Sequence, residues 1–117
     1  MSTNSQIAFT PLGQTIVVAS TTSAPTGIQA PVYSKFDAQN AGQFRFINNG
    51  TVTVFLGTGS TAAEATANAV APTAGSPTAA IVLVPGAVEI LRFNINTYFS
   101  GLSASAATVY ITPGQGL

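Results

Sequence analysis

The chain has no cysteine, no histidine and no tryptophan. Without cysteine there is no disulfide framework, thiol nucleophile, iron–sulfur cluster or cysteine zinc site. Without histidine there is no imidazole base and no imidazole metal ligand. Charge is nearly absent as well. Only 5% of the 117 residues are charged, against about 25% in an average soluble protein. Three cations (Lys35, Arg45, Arg92) balance three carboxylates (Asp37, Glu64, Glu89) to a net charge of zero. Three scattered cations build no phosphate-neutralising patch, so no nucleic-acid partner is expected. Long apolar runs are missing too. Runs such as Ile16–Ala19, Ala79–Val84 and Ala87–Val88 fall far below the roughly 18 residues of a membrane helix. No membrane partner is therefore expected. Met1–Gln6 has neither a basic region nor an apolar core, so no signal peptide is expected.

What is present is apolar and hydroxylated. Apolar residues make up 46% of the chain and mean hydropathy is +0.42. Ser and Thr number 26, beside 19 Ala and 11 Gly, and supply polarity in place of charge. A free-standing domain usually carries about 25–35% charged residues on its surface. A neutral, charge-poor chain tends to associate unless its surface is covered, so life inside an assembly is expected, the alternative being a neutral domain kept soluble by its hydroxyls and amides.

The patterning is that of β-structure. Short strand-like runs lie at Gln6–Thr10, Thr15–Ala19, Ile28–Tyr33, Gln43–Phe46, Thr51–Leu56, Ala80–Val84, Ala87–Asn94, Asn96–Ser100 and Ala106–Thr112. Pro31 would place its run at an edge or a break. Turn residues separate the runs: Pro11-Leu12-Gly13, Ser20–Gly27, Lys35–Gly42, Pro85-Gly86 and Pro113-Gly114-Gln115-Gly116. Asn48-Asn49-Gly50 between two alternating runs predicts a hairpin, because Asn-Gly tolerates the positive φ of a type I′ turn. Gly57-Thr58-Gly59-Ser60 is expected to end the strand before it. Thr61–Val70 is the one stretch with helical propensity, but its apolar residues are all small, so one or two turns at most, or an extended loop, is expected. Residues 1–5 read as a flexible arm and 6–117 as one domain. About eight or nine short alternating strands predict an all-β fold, an antiparallel β-sandwich of jelly-roll type, with an immunoglobulin-like sandwich as the alternative.

Catalytic patterns are missing. A glycosidase-type carboxylate pair needs two acids facing one another at about 5–10 Å, and nothing pairs Glu64 with Glu89. Glu89 reads as a solvent-side strand residue opposite Arg92 or Arg45. Gly57-Thr58-Gly59-Ser60 lacks the Lys of a phosphate loop and the third Gly of a dinucleotide fingerprint. A Gly-x-Ser-x-Gly elbow is absent. Asn49-Gly50-Thr51 fits the glycosylation sequon but is read as turn chemistry. No enzyme, cofactor or metal is expected. Tyr33, Phe36 and Tyr98 are the candidate protein contacts, because interfaces favour aromatics. Adjacent strand residues face opposite ways, so one of Tyr98 and Phe99 belongs to the core. Tyr98 beside Asn94 and Asn96 would suit a sugar instead.

The run Phe44-Arg45-Phe46-Ile47-Asn48-Asn49-Gly50-Thr51-Val52-Thr53-Val54-Phe55-Leu56-Gly57, followed by Ala62-Ala63-Glu64-Ala65-Thr66, resembles small virion proteins of tailed bacteriophages. The end, Ala107-Thr108-Val109-Tyr110-Ile111-Thr112-Pro113-Gly114-Gln115-Gly116, resembles their closing strand and Pro-Gly-x-Gly tail. The family is the capsid decoration, or cement, proteins. The resemblance spans roughly residues 43–117, and residues 1–42 have no counterpart in it. It implies a non-enzymatic β-sandwich, a dimer or trimer, on the outer surface of a virion, with the major capsid protein as partner. Another virion part (head fibre base, neck or tail) and a small carbohydrate- or receptor-binding sandwich are the alternatives.

Overall fold

The computed structural model describes residues 9–11, 13–30 and 41–115. Its elements are β1 (Thr10–Pro11), β2 (Ile16–Ser20), β3 (Ile28–Gln29), β4 (Ala41–Asn48), β5 (Val54–Gly59), α1 (Ala62–Asn68), β6 (Ile81–Leu83), β7 (Val88–Asn94), β8 (Tyr98–Ser103) and β9 (Ala107–Gln115). The strands form two sheets. The first has the order β1-β9-β4-β7, with β2 also on β9, and the second β3-β8-β5-β6.

The pairing is nested. β2 pairs with β9, β3 with β8, β4 with β7 and β5 with β6, all antiparallel. The chain is in effect one long antiparallel ribbon rolled over itself. Two further ladders, β4 with β9 and β5 with β8, close the roll. This is the expected jelly roll. The immunoglobulin-like alternative falls, because its sheets would join strands in the order ABED and CFG.

The core lies between the sheets. Phe44 and Phe46 of β4, Val109 and Ile111 of β9 and Val18 of β2 face Val54, Leu56, Leu83 and Phe99 of the other sheet, all essentially without solvent exposure. Phe99 meets Phe44, Phe46 and Phe93 at ring-centroid distances of 5.4, 5.5 and 5.7 Å, all edge-on, the geometry aromatic quadrupoles favour. Period-two alternation thus sets the inner face.

Four expectations are corrected. The hairpin at Asn48-Asn49-Gly50 does not form: β4 and β5 enter different sheets. The buried Asn48 carboxamide donates to the carbonyls of Val52, Leu83 and Val84 at 3.0, 2.8 and 3.2 Å, and its Oδ1 accepts from Gly50 N–H at 2.9 Å. This side chain holds the β4–β5 crossover against the β6–β7 crossover. Gly50 is needed for space, since a Cβ there would lie 2.6 Å from Ala107 Cβ; among the described glycines positive φ occurs only at Gly75 and Gly86. Second, β5 continues through Gly57 and Gly59, whose missing side chains make room for α1. Third, β9 runs through Pro113. Asn49 N–H donates to Thr108 O, so alternation turns the backbone of residue 113 toward the β1–β2 side. There the β2 ladder has stopped at Ile111 and the β1 ladder resumes only at Gly114. The proline's missing N–H falls in that break. Fourth, Glu89 is exposed but lies opposite Phe46, while Arg45 pairs with Ile90 and Arg92 with Gln43.

Candidate functional site: two sheet faces and a polar recess

The two outer faces of the sandwich differ. On that of the second sheet, α1 packs over β5 and β8, while Val82 of β6 stays exposed. Thr61 caps the helix by accepting from Glu64 N–H at 3.1 Å, and Glu64 Oε1 accepts from Ser60 N–H at 2.6 Å and the Ser60 hydroxyl at 3.0 Å. These contacts, Ser60 N–H first, hold the Glu64 carboxyl below its usual range. A side chain on Gly57 would strike the helix backbone at Ala65 and Ala69, and one on Gly59 would meet Glu64 Cβ at 2.7 Å. Ala65 and Ala69 are buried accordingly. Asn68 Nδ2 donates to Thr58 O at 2.8 Å, and Thr66 Oγ1 to Pro25 O at 2.8 Å. A helix whose apolar residues are all alanine, laid on a glycine-bearing strand, is a close-packing device.

Among the described residues, the outer face of the first sheet is covered at one end only. A Cβ on Gly114 would lie 2.5 Å from Phe9 Cζ, so Phe9 sits over that glycine. The Arg45 guanidinium lies 5.5 Å from the Phe9 ring centroid, a cation–π contact. Arg45 Nε is buried without a hydrogen-bond partner. Thr15 and Thr112 share a hydroxyl hydrogen bond of 2.8 Å.

Beyond that cover, strand register assembles a transverse row. Val17 pairs with Tyr110, Tyr110 with Ile47 and Ile47 with Val88. One residue from each of four strands thus forms an apolar line across the sheet. Val17, Tyr110 and Val88 are 48%, 36% and 58% exposed, and Ile47 is partly so. Ala19, Thr108 and Ile90 flank the row, and Arg92 is the nearest exposed charge on this face.

The sequence-derived contact residues fare differently. Tyr33 and Phe36 lie outside the described residues. Tyr98 is half-buried in β8 opposite Gly59 and Gln29, whereas its neighbour Phe99 is the core residue of the two. A recess of about 330 Å³ is lined by Ser60, Asn94, Asn96 and Thr97, the residue that precedes Tyr98 in the chain. Gln29 Nε2 donates to Asn96 O at 2.7 Å. Among the described residues no group of three or more His, Cys, Asp or Glu could hold a metal ion, and no helix is long and apolar enough to cross a membrane. Sequence reasoning missed the row because its members lie as far apart as residues 17 and 110. The alternation that turns each one outward is visible; the register that aligns them is not.

No protein-family model, curated protein or solved structure matches the chain.

Proposed function

We propose that the protein is a non-enzymatic virion structural component that decorates and stabilises a bacteriophage capsid by bridging coat subunits. The observation that carries this reading is the open, charge-poor half of the first sheet's outer face, crossed by Val17, Tyr110, Ile47 and Val88. Such a face loses little hydration on docking, because it presents methyl, hydroxyl and phenol groups in place of ions. A shell offers many equivalent sites, so each contact can be modest and still hold collectively. The resemblance of residues 43–117 to decoration proteins supports the same reading.

The test is quantitative mass spectrometry of purified particles. A copy number equal to that of the coat protein, or a simple fraction of it, is expected. The Tyr110→Asp variant is expected to lose occupancy on stripped particles. A ratio of a few per cent moves the protein to the neck or tail, and absence from particles overturns the reading.

The recess at Ser60, Asn94, Asn96 and Thr97 supports a second reading, a neutral glycan site next to Tyr98. Glycan binding that is lost on Asn96→Ala with the fold intact would favour it.

A further inference from the structure

We infer that β7 is a pairing edge for a second copy of this chain, joined antiparallel about a two-fold axis through Leu91. This stands apart from the capsid reading and rests on the backbone.

The hydrogen-bond directions of β4 fix which groups β7 has to spare. Asn48 N–H donates to Ala87 O at 3.0 Å, and the next residue, Asn49, donates to Thr108 O on the opposite side at 2.8 Å. Alternation then turns the N–H and C=O of Glu89, Leu91 and Phe93 toward β4, and those of Val88, Ile90, Arg92 and Asn94 away from it. β7 ends its sheet, and among the described residues no strand pairs with that outward side. Its seven residues present roughly 24 Å of open edge at about 3.4 Å per residue.

The other edges are blunted in the ways natural sheets use. The opposite edge of the same sheet is broken between β1 and β2. The edges of the second sheet, β3 and β6, are two and three residues long. β7 has no proline, and its ladder with β4 runs without a bulge from Ala41↔Asn94 to Ile47↔Val88. Glu89 and Arg92 are its only charges. A long, regular, hydrophobic edge is a template for another strand.

The edge is complementary to itself. A two-fold axis perpendicular to the sheet at Leu91 sets Ile90 opposite the partner's Arg92 and Val88 opposite the partner's Asn94. All four outward-facing residues of each copy then exchange backbone hydrogen bonds, two per pair. Every side chain keeps its face. Directly opposite, no charge meets its like: Arg92 aligns with an isoleucine and Glu89 with Phe93, and the two Arg92 side chains lie on a diagonal about 7–8 Å apart. An axis at Ile90 would leave Asn94 unpaired, and one at Arg92 would set two guanidinium groups opposite each other, which is destabilising. The aliphatic stem of Arg92 covers the partner's Ile90. The two sheets become one, with both β7 strands at its centre.

The test is the mass of the intact chain in solution, by light scattering and sedimentation. A species of twice the 11.8 kDa chain mass is expected. Arg92→Pro removes only an outward N–H, so it should yield a folded monomer with unchanged circular dichroism. Should that variant fail to fold, cysteines decide the matter in a chain that otherwise has none. Leu91→Cys faces its own copy in a non-hydrogen-bonded pair, with Cα atoms about 4.5 Å apart, and should cross-link readily on oxidation. Ile90→Cys faces Arg92 and should not. A monomeric wild type, a dimer that survives in folded Arg92→Pro, or cross-linking of Ile90→Cys as fast as of Leu91→Cys would overturn the proposal.

Discussion

The carboxamide of Asn48 donates to the carbonyl of Leu83 at 2.8 Å, joining two crossovers that lie 35 residues apart. The same nitrogen reaches Val52 and Val84. Replacing Asn48 with Ala leaves buried carbonyls without a donor and opens a void, so a loss of about 2–4 kcal/mol is expected. Asn48→Asp should be worse near neutral pH, since a carboxylate would face carbonyl oxygens. That extra penalty is absent while the acid is protonated, below about pH 4, and grows as pH rises. Urea unfolding at two pH values measures both effects.

Gly57→Ala should destabilise by about 1–3 kcal/mol through overpacking. The new methyl meets helix backbone, which cannot step aside as a flexible side chain would. Thermal unfolding, with limited proteolysis across 60–78, would show α1 released before the sandwich melts.

The Glu64 carboxyl titrates below 4.5 because Ser60 N–H and its hydroxyl bond the charged form. A lowered folded pKa contributes stability that is complete above the unfolded value and is lost as pH falls through the folded value. The melting temperature of the wild type should therefore drop further on acidification than that of Glu64→Gln, and the difference between them should close at low pH.

Phe99 is the ring that the second sheet sends among Phe44, Phe46 and Phe93 of the first. Phe99→Ala should cost about 3–5 kcal/mol, and Phe99→Leu distinctly less. Phe55→Ala, on the outward side of β5 and only partly buried, should cost less than Phe99→Ala. Chemical denaturation of the three variants ranks them.

Strand existence was legible because one face of every sheet is buried, and burial imposes period-two alternation on residues such as Phe44 and Phe46 or Val109 and Ile111. Partnering was less so. Asn49-Gly50 carries the local chemistry of a tight turn, yet three carbonyls from distant segments claim the Asn48 side chain, and the chain crosses to the other sheet. Gly57 and Pro113 look like strand ends by propensity. The first is a glycine because a helix lies on it, and the second a proline because its neighbouring ladder is interrupted there. Each reason sits in another part of the chain. Asn94 ends β7 and Tyr98 opens β8, so their nearness in space follows from a short connection that the sequence already displays. The Val17–Tyr110–Ile47–Val88 row needed the register of four strands, which alternation does not encode.

The nested ladder bears on the order in which the protein can be made. β8 and β9 are the last strands of the fold to leave the ribosome, yet each occupies an interior position. β9 lies between β2 and β4, and β8 between β3 and β5. Until both emerge, neither sheet can close, and the earlier strands wait with their inner edges unpaired. Only β4 with β7 and β5 with β6 can pair beforehand. Folding is therefore expected to be slow, dominated by pairings such as Ile16 with Ile111 that close long loops. Synthesis halted before β9 leaves a half-built roll whose central slot any extended chain could enter.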